Sequence, residues 1–234
     1  MTNAIAAVPS PLWYVNRGTG AVTMVLLTAS VVLGIGTTVR WKSTFWPRYI
    51  NAGLHRNVSL MFVCFLAVHV AAAILDPFAK LGLGDALIPF TSSYRPFWLG
   101  LGVVAAELSV ALLLTTAVRG LIGYRTWRFI HWFSYVSWPL ALLHGLGTGS
   151  DAHMWWFQWL EGTCVLAVWA ALITWRLAFD APRNVWPRLL AAGLSSILVV
   201  ALVVWVVNGP LQPGWARIAG TPPTLLKTAP TATP

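Results

Sequence analysis

The hydrophobic and polar positions of this chain form six long apolar stretches separated by short polar connections. A helix that crosses a bilayer needs about 20 apolar residues. The stretches that meet this length are Gly18 to Val39, Leu54 to Leu75, Pro96 to Val118, Thr126 to Leu146, Met154 to Leu177 and Trp186 to Val207. Short connections favour antiparallel neighbours. The pattern therefore predicts an all-α integral membrane bundle of about six transmembrane helices.

Proline and glycine mark the breaks between these helices. Asp76-Pro77, Pro89 and Arg95-Pro96 separate the second helix from the third, and the glycine-rich run 145–149 ends the fourth. We divide the chain into an extracytoplasmic segment (1–17), a transmembrane domain (18–179), an additional transmembrane helix (186–207) and a tail (208–234). The tail is rich in Pro, Thr and Ala and is predicted to be disordered.

Composition and charge indicate a multi-pass protein of the cell (plasma) membrane. Only 9% of the residues are charged, against roughly 25% in soluble domains. The net charge of +9 is spread in short clusters between apolar runs, which favours lipid and not nucleic acid as the partner. By the positive-inside rule, both termini are predicted to lie outside the cytoplasm, because ten of the 15 Lys and Arg fall on one side: Arg40, Lys42, Arg48, Arg56, Arg119, Arg125, Arg128, Arg176, Arg183 and Arg188.

Four of the five histidines form two pairs, each within one predicted helix. His55 and His69 bracket the second helix, and His131 and His144 bracket the fourth. At 1.5 Å per residue, the two steps along the helices are ~21 Å and ~20 Å. Since both helices start on the same side, His55 and His131 share one depth and His69 and His144 share another. Two flat tetrapyrroles, each bound by one imidazole from either helix, fit this pattern.

The rotation of the fourth helix fits less well. At ~100° per residue, fourteen residues return to within about 40° of the same face, whereas thirteen end about 140° away. Pro139 lies between His131 and His144 and is predicted to kink or rewind the helix. The alternative interpretation of any one of these histidines is an isolated polar ring in a helix interior. A zinc site is disfavoured because its ligands converge in threes or fours.

Two sequence segments resemble the haem helices of the ferric reductase-like transmembrane domain family. The first runs from Leu54-His55-Arg56-Asn57 to Val68-His69-Val70. The second runs from Arg128-Phe129-Ile130-His131-Trp132-Phe133-Ser134-Tyr135 to Leu142-Leu143-His144-Gly145, and the trailing Gly147-Thr148-Gly149-Ser150-Asp151 is similar to bacterial members. The likeness covers roughly Gly18 to Leu177. The family includes ferric reductases, NADPH oxidases and the membrane haem subunit of the methionine sulfoxide reductase system.

The resemblance implies two haems b, with iron bound by His55 and His131 and by His69 and His144. Long members of the family continue into a soluble FAD and NAD(P)H domain, but this sequence has no G-x-G-x-x-G motif after a strand. We therefore expect an oxidoreductase component that takes electrons from a separate flavoprotein or quinone and passes them to an outer acceptor such as ferric iron. Two alternatives are a cytochrome b subunit of a quinone-linked redox complex and a haem-free membrane transporter or scaffold.

Several further residues are candidates for supporting roles. Arg56 and Arg128 adjoin the cytoplasmic pair and are candidate partners of haem propionates, since guanidinium binds carboxylates well. Glu107, in mid-helix, and Glu161 are candidate interior carboxyls, because ionisable groups in a membrane are usually functional. The remaining assignments are an outer metal or electron exit at Asp151 and His153, a cover over the outer haem at Tyr94 and Arg95, an interfacial aromatic run at Trp155–Trp159, and packing roles for Cys64 and Cys164.

Overall fold

Helices form nearly all of the structure, a computed structural model that describes residues 10–38, 48–77, 79–149, 151–175 and 185–226. No strand occurs within these ranges. The helices are α1 (Pro11–Thr38), α2 (Arg48–Leu75), α3 (Leu83–Leu87), α4 (Pro96–Ala117), α5 (Arg119–Ile122), α6 (Tyr124–His131), α7 (Ser134–Thr148), α8 (Trp155–Thr174), α9 (Trp186–Asn208) and α10 (Trp215–Ile218), followed by a 3-10 turn at Pro223–Leu225.

Five of the described helices, α1, α2, α4, α8 and α9, are long and apolar enough to cross a membrane. They correspond to five of the six predicted spans. The prediction of an all-α, multi-pass membrane bundle is therefore confirmed. Helices α1 and α2 run antiparallel, since Gly20 of α1 lies against His69 near the end of α2 and Gly34 lies against His55 near its start.

The fourth predicted span is two helices, α6 and α7, and the prediction of one continuous helix was wrong. The interruption lies at Trp132 and Phe133, whereas Pro139 is an internal residue of α7. The Ser134 and Ser137 hydroxyls donate to the carbonyls of His131 and Ser134, at 2.8 and 2.9 Å. Such local side-chain hydrogen bonds compete with regular helix bonding, so the chain tightens here and not at the proline.

Apolar side chains cover the outside of the bundle as well as its interior. Leu60 and Met61 of α2 are 50% and 51% exposed, and α9 has no buried residue. Lipid provides no hydrophobic force between helices, so close packing and polar contacts join them. One such contact links the hydroxyls of Ser30 and Ser59 at 2.7 Å, between α1 and α2.

The main packing partners are α1 with α2 and α4 with α7, and α1 also contacts α7 and α8. The pairs α1–α2 and α4–α7 thus form two halves of the bundle. Helix α2 of one half faces helix α7 of the other across the space between the halves. We call the end of the bundle where α1 begins and α2 ends the N-terminal end, and the other end the opposite end.

The segment after α9 is folded over residues 209–226, although the sequence predicted a disordered tail. The Trp215 indole is buried, with 8% exposure, and its Nε1 donates to the Gly147 carbonyl at 3.2 Å. Arg95 donates from its backbone N–H to the Gly220 carbonyl at 3.0 Å and from Nε to the Thr221 hydroxyl at 2.8 Å. These tertiary bonds tie the segment to the N-terminal end of the bundle.

Parts of the predicted basic loops and tail lie outside the described residues: Arg40, Lys42, Arg176, Arg183 and the stretch 227–234. Among the described basic residues, Arg56, Arg119, Arg125, Arg128 and Arg188 lie toward the opposite end of the bundle. The orientation of the chain in the membrane stays a prediction.

Candidate functional site

The structure brings the four helix histidines together in the two pairs that the sequence predicted. The ring centres of His55 and His131 are 6.2 Å apart, with their planes at 85°. Those of His69 and His144 are 6.3 Å apart, with their planes at 82°. An imidazole nitrogen lies about 2 Å from a bound transition metal, so rings on opposite sides of one ion have their centres about 6 Å apart. Each pair therefore has the spacing of two axial ligands to a single metal ion.

The two pairs lie at separate depths between α2 and the α6–α7 segment. His55 and His69 are ~21 Å apart along α2 at the usual helical rise. Among the described residues, no group of three or more His, Cys, Asp or Glu has an arrangement that holds a metal ion. The site therefore offers two ligands at each of two levels, as a flat macrocycle with four equatorial donors of its own requires.

Tight turning at the α6–α7 break changes the direction in which His131 points. The residues that donate their backbone N–H groups to carbonyls three positions earlier are Trp132, Phe133, Tyr135 and Val136. Each such residue turns the chain by ~120° and not ~100°. Trp132 also donates to the Arg128 carbonyl four positions earlier, so three to four tight steps reduce the offset between His131 and His144 from about 140° to about 60–80°. The break therefore brings His131 and His144 closer to the same face of the helix, which was the change predicted for Pro139.

Backbone carbonyls of neighbouring helices orient three of the four rings. The Nδ1 atoms of His55 and His69 bond to the carbonyls of Ser30 and Asn16 of α1, both at 2.9 Å. His144 Nδ1 bonds to the carbonyl of Trp98 of α4 at 3.0 Å. A carbonyl only accepts, so each Nδ1 carries the proton. In the neutral ring this leaves a bare lone pair on Nε2, the form that binds a metal.

Each accepting carbonyl is followed four residues later by a glycine that touches the same histidine. A Cβ on Gly20 would lie 3.0 Å from His69 Cε1, one on Gly34 3.4 Å from His55 Cε1, and one on Gly102 2.4 Å from His144 Nδ1. We call these carbonyl and glycine combinations seats: Asn16/Gly20, Ser30/Gly34 and Trp98/Gly102. None of the three was predicted from the sequence. The fourteen-residue step from Gly20 to Gly34, equal to that from His55 to His69, is the signal that identifies the first two.

His131 is supported differently from the other three rings. The Trp127 indole stacks on it, with centres 4.9 Å apart and planes at 25°. Trp127 Nε1 in turn donates to the Thr116 hydroxyl at 3.1 Å. The Nδ1 atom of His131 is buried and has no hydrogen-bond partner among the described residues. Fourteen residues after Gly102, α4 carries Thr116, so no glycine occupies the matching position.

A family model for ferric reductase like transmembrane components matches residues 19–143 of this chain. The match spans more than half of the sequence. The chain belongs to this family. The matched stretch includes His55, His69 and His131, and it ends one residue before His144. Neither the curated proteins nor the solved structures contain a match.

A cavity of about 250 Å³ surrounds the pair formed by His69 and His144 in this family member. Its wall consists largely of apolar or small side chains. Those in the middle of the bundle are Leu27, Phe62, Leu66, Ala105, Ala106 and Ala141. Toward the N-terminal end the lining includes Arg17, Asp76, Tyr94 and Asp151. The cavity thus combines an apolar body with a polar mouth, as a largely apolar cofactor with charged edge groups requires.

An ion pair closes part of the mouth. The Arg17 guanidinium contacts the Asp151 carboxylate, which is 4% exposed, and also lies over the Trp13 ring at 3.8 Å. Asp151 was predicted to form an outer site with His153, but His153 is exposed. Arg17 was not selected as a site residue, because a basic residue at a helix end is common in membrane proteins.

Tyr94 and Arg95 lie at the same end, where the sequence placed a cover. Tyr94 lines the cavity, and burial raises the pKa of its phenol against the opposing effect of Arg95. Arg95 is buried and donates from Nη1 to the Gly147 carbonyl at 2.9 Å. It therefore fastens α4 to α7 and to the C-terminal segment.

The two candidate interior carboxyls have opposite surroundings. Glu161 of α8 is 5% exposed, lines the cavity, and has an Oε2 atom with no hydrogen-bond partner among the described residues. Glu107 of α4 is exposed on the outer face of the bundle, so its predicted interior position was wrong. Because α4 is apolar on every side, its sequence carries no signal of which face turns inward.

The remaining candidates lie on the surface or in the packing. Arg56 and Arg128 are exposed near the pair formed by His55 and His131. In the aromatic run, Trp155 and Trp159 are 73% and 72% exposed, whereas Phe157 is buried. Cys164 is a buried member of the core and Cys64 is exposed, and both are free thiols.

Proposed function

We propose that this chain is a di-haem b membrane cytochrome that carries electrons from a separate donor, a flavoprotein or a quinol, to an outer acceptor such as ferric iron. The observation that carries the proposal is the pair of facing imidazole couples, one of His55 with His131 and one of His69 with His144. Membership of the ferric reductase-like family supports a redox role.

The ligand arrangement favours electron transfer over chemistry on oxygen. A haem iron with histidine on both axial sides has no open position, so it exchanges electrons and binds small molecules poorly. The seats on α1 and α4 keep His55, His69 and His144 in the tautomer that presents Nε2. The protein's own contribution is therefore to orient four rings at two depths, so that charge crosses the apolar layer in steps.

Positive groups near the pair of His55 and His131 fit the carboxylates at the edge of a haem b. Arg56 and Arg128 are exposed and lie close in sequence to this pair, whereas Arg17, which lines the cavity around His69 and His144, is paired with the Asp151 carboxylate. Guanidinium binds carboxylates with two parallel hydrogen bonds. We assign Arg56 and Arg128 to the cytoplasmic site, in line with the positive-inside orientation.

The proposal is tested by the visible spectrum of the protein purified in detergent. We expect a reduced-minus-oxidised spectrum of haem b and two haems per chain in a haemochrome assay. His55→Ala and His69→Ala should each lower the content to one haem per chain. His153→Ala, which changes an exposed histidine outside the helices, is the matched control and should retain both.

A folded wild-type protein without haem b would refute the proposal and favour a transporter or scaffold. Loss of haem in His153→Ala equal to that in His69→Ala would show that the helix histidines are not the ligands.

A further inference from the structure

The two histidine pairs have the same ligands but unequal hydrogen bonding. Both rings of the pair formed by His69 and His144 donate Nδ1–H to a backbone carbonyl. In the other pair His55 does so, but His131 has a buried Nδ1 without a partner among the described residues. The difference is one full ligand-orienting hydrogen bond.

This bond changes the electronic character of the ligand. A metal-bound histidine that donates its other N–H becomes more basic and keeps a fixed ring orientation, and loss of the partner weakens metal binding. A more basic axial ligand stabilises ferric over ferrous iron and so lowers the reduction potential, one of the means by which a protein tunes haem. The Trp127 ring stacked on His131 limits its movement but accepts no hydrogen bond from Nδ1.

We infer that the seats make the two haem sites unequal, so that the site of His55 and His131 has the higher reduction potential and the weaker hold on its haem. The inference rests on the proposed function. It assigns a positioning role to Gly20, Gly34 and Gly102, which touch the rings but are not ligands. The residue at the fourth position, Thr116, bonds to Trp127 instead.

The distances at the glycines allow each site to be perturbed separately. Alanine at Gly20 places a methyl group 3.0 Å from His69 Cε1 and 3.1 Å from Nδ1, so the ring must shift by a few tenths of an ångström, which weakens its bond to the Asn16 carbonyl. Alanine at Gly34 meets His55 Cε1 at 3.4 Å and Nδ1 at 3.7 Å, an ordinary contact that disturbs the ring less. Gly18, on the same helix, has nothing within 4 Å, and Gly18→Ala is the matched control.

The experiment is an optical redox titration of the purified wild type and its glycine variants, each with both haems bound, and of His69→Ala, which retains one haem. The wild type should titrate in two waves. His69→Ala, which keeps only the site of His55 and His131, should titrate at the higher of the two. Gly20→Ala should raise the midpoint potential of the lower wave and so narrow the difference between the two midpoints. Gly34→Ala should raise the midpoint of the upper wave by a smaller amount and so widen that difference. Gly18→Ala should move neither midpoint.

Transfer of haem to excess apomyoglobin gives a second measurement that does not depend on activity. We expect the site of His55 and His131 to lose haem several-fold faster, with Gly20→Ala accelerating only the slower phase. A single haem that titrates at the lower wave in His69→Ala would overturn the inference, as would a Gly20→Ala variant with both waves unmoved. A wild type that contains no haem would refute the proposed function itself, whereas two haems that titrate together or in the reverse order would refute only this inference.

Discussion

The two ends of the bundle surround equivalent histidine pairs with different structures. At the N-terminal end, two seats, an ion pair and the folded C-terminal segment enclose His69 and His144. At the opposite end, one seat and a stacked tryptophan support His55 and His131, and short helices with exposed arginines surround them. In the proposed di-haem arrangement, the paired histidines would set where each haem binds, and the helices behind them would set how tightly it binds and at what potential. The predictions below test this difference.

Gly102→Ala should have the largest effect, because its methyl group would lie 2.4 Å from His144 Nδ1. The ring cannot remain on the Trp98 carbonyl, so we expect loss of the haem at the N-terminal end and one haem per chain in the haemochrome assay. The control is Gly162→Ala on α8, where nothing lies within 4 Å. Two haems at wild-type occupancy in Gly102→Ala would contradict the role assigned to this seat.

Trp215→Ala should destabilise the N-terminal end without removing a ligand contact. The Trp215 ring lies 5.4 Å from that of Trp98, whose carbonyl accepts from His144, and 6.0 Å from that of Trp205. Removal of a buried tryptophan costs about 3 to 5 kcal/mol, so we expect a lower unfolding midpoint in detergent. Faster cleavage within 209–226 under limited proteolysis should accompany it.

Trp155→Ala, which changes a 73% exposed ring at the start of α8, is the control for this substitution. Equal thermal shifts in the two variants would show that the C-terminal segment does not stabilise the bundle.

Arg17→Gln should have a moderate effect, also confined to the N-terminal end. It leaves the buried Asp151 carboxylate without its cation, and breaking such a pair costs several kcal/mol when fully buried. Arg17 is 24% exposed, so we expect a smaller loss of about 2 kcal/mol in the free energy of unfolding. Adding Asp151→Asn should recover part of this loss in a double-mutant cycle. A double variant as unstable as the sum of the single ones would mean that the pair is not coupled.

Local signals predicted the architecture and which histidines face each other. The membrane spans were predicted from the length of each apolar stretch, and the depths of the histidines from the number of residues between them. Both quantities are properties of the sequence alone. The break at Trp132 and Phe133 was missed, because Pro139 is the stronger breaker by composition and yet lies inside α7. A bundle accommodates a proline when other groups satisfy the freed carbonyl, so composition alone did not locate the break.

Tertiary contacts explain the other errors. Residues 209–226 of the predicted tail fold because Trp215 bonds to Gly147 and packs against Trp98, and the Pro- and Thr-rich composition of the tail carries no sign of these partners. The face that carries Glu107 depends on which neighbours α4 packs against. Two of the three seats could have been predicted from the sequence, since Gly20 and Gly34 are separated by the same fourteen residues as His55 and His69. The third could not, because Gly102 is identified only by its contact with His144.

Trp127→Leu should have the smallest effect and tests the opposite end alone. It removes the stacked ring from His131 and the bond to Thr116, while leucine retains most of the apolar volume. Aromatic stacking contributes about 1 kcal/mol beyond burial, which corresponds to a change of several-fold in an equilibrium constant. We expect haem transfer to apomyoglobin to accelerate several-fold in the faster phase only, with the slower phase unchanged. Trp159→Leu, at an exposed ring on α8, should leave both phases unchanged. Because His131 Nδ1 has no hydrogen-bond partner in the part of the chain that the structure describes, an unaffected faster phase would mean that the ring is oriented by the cofactor itself and not by Trp127.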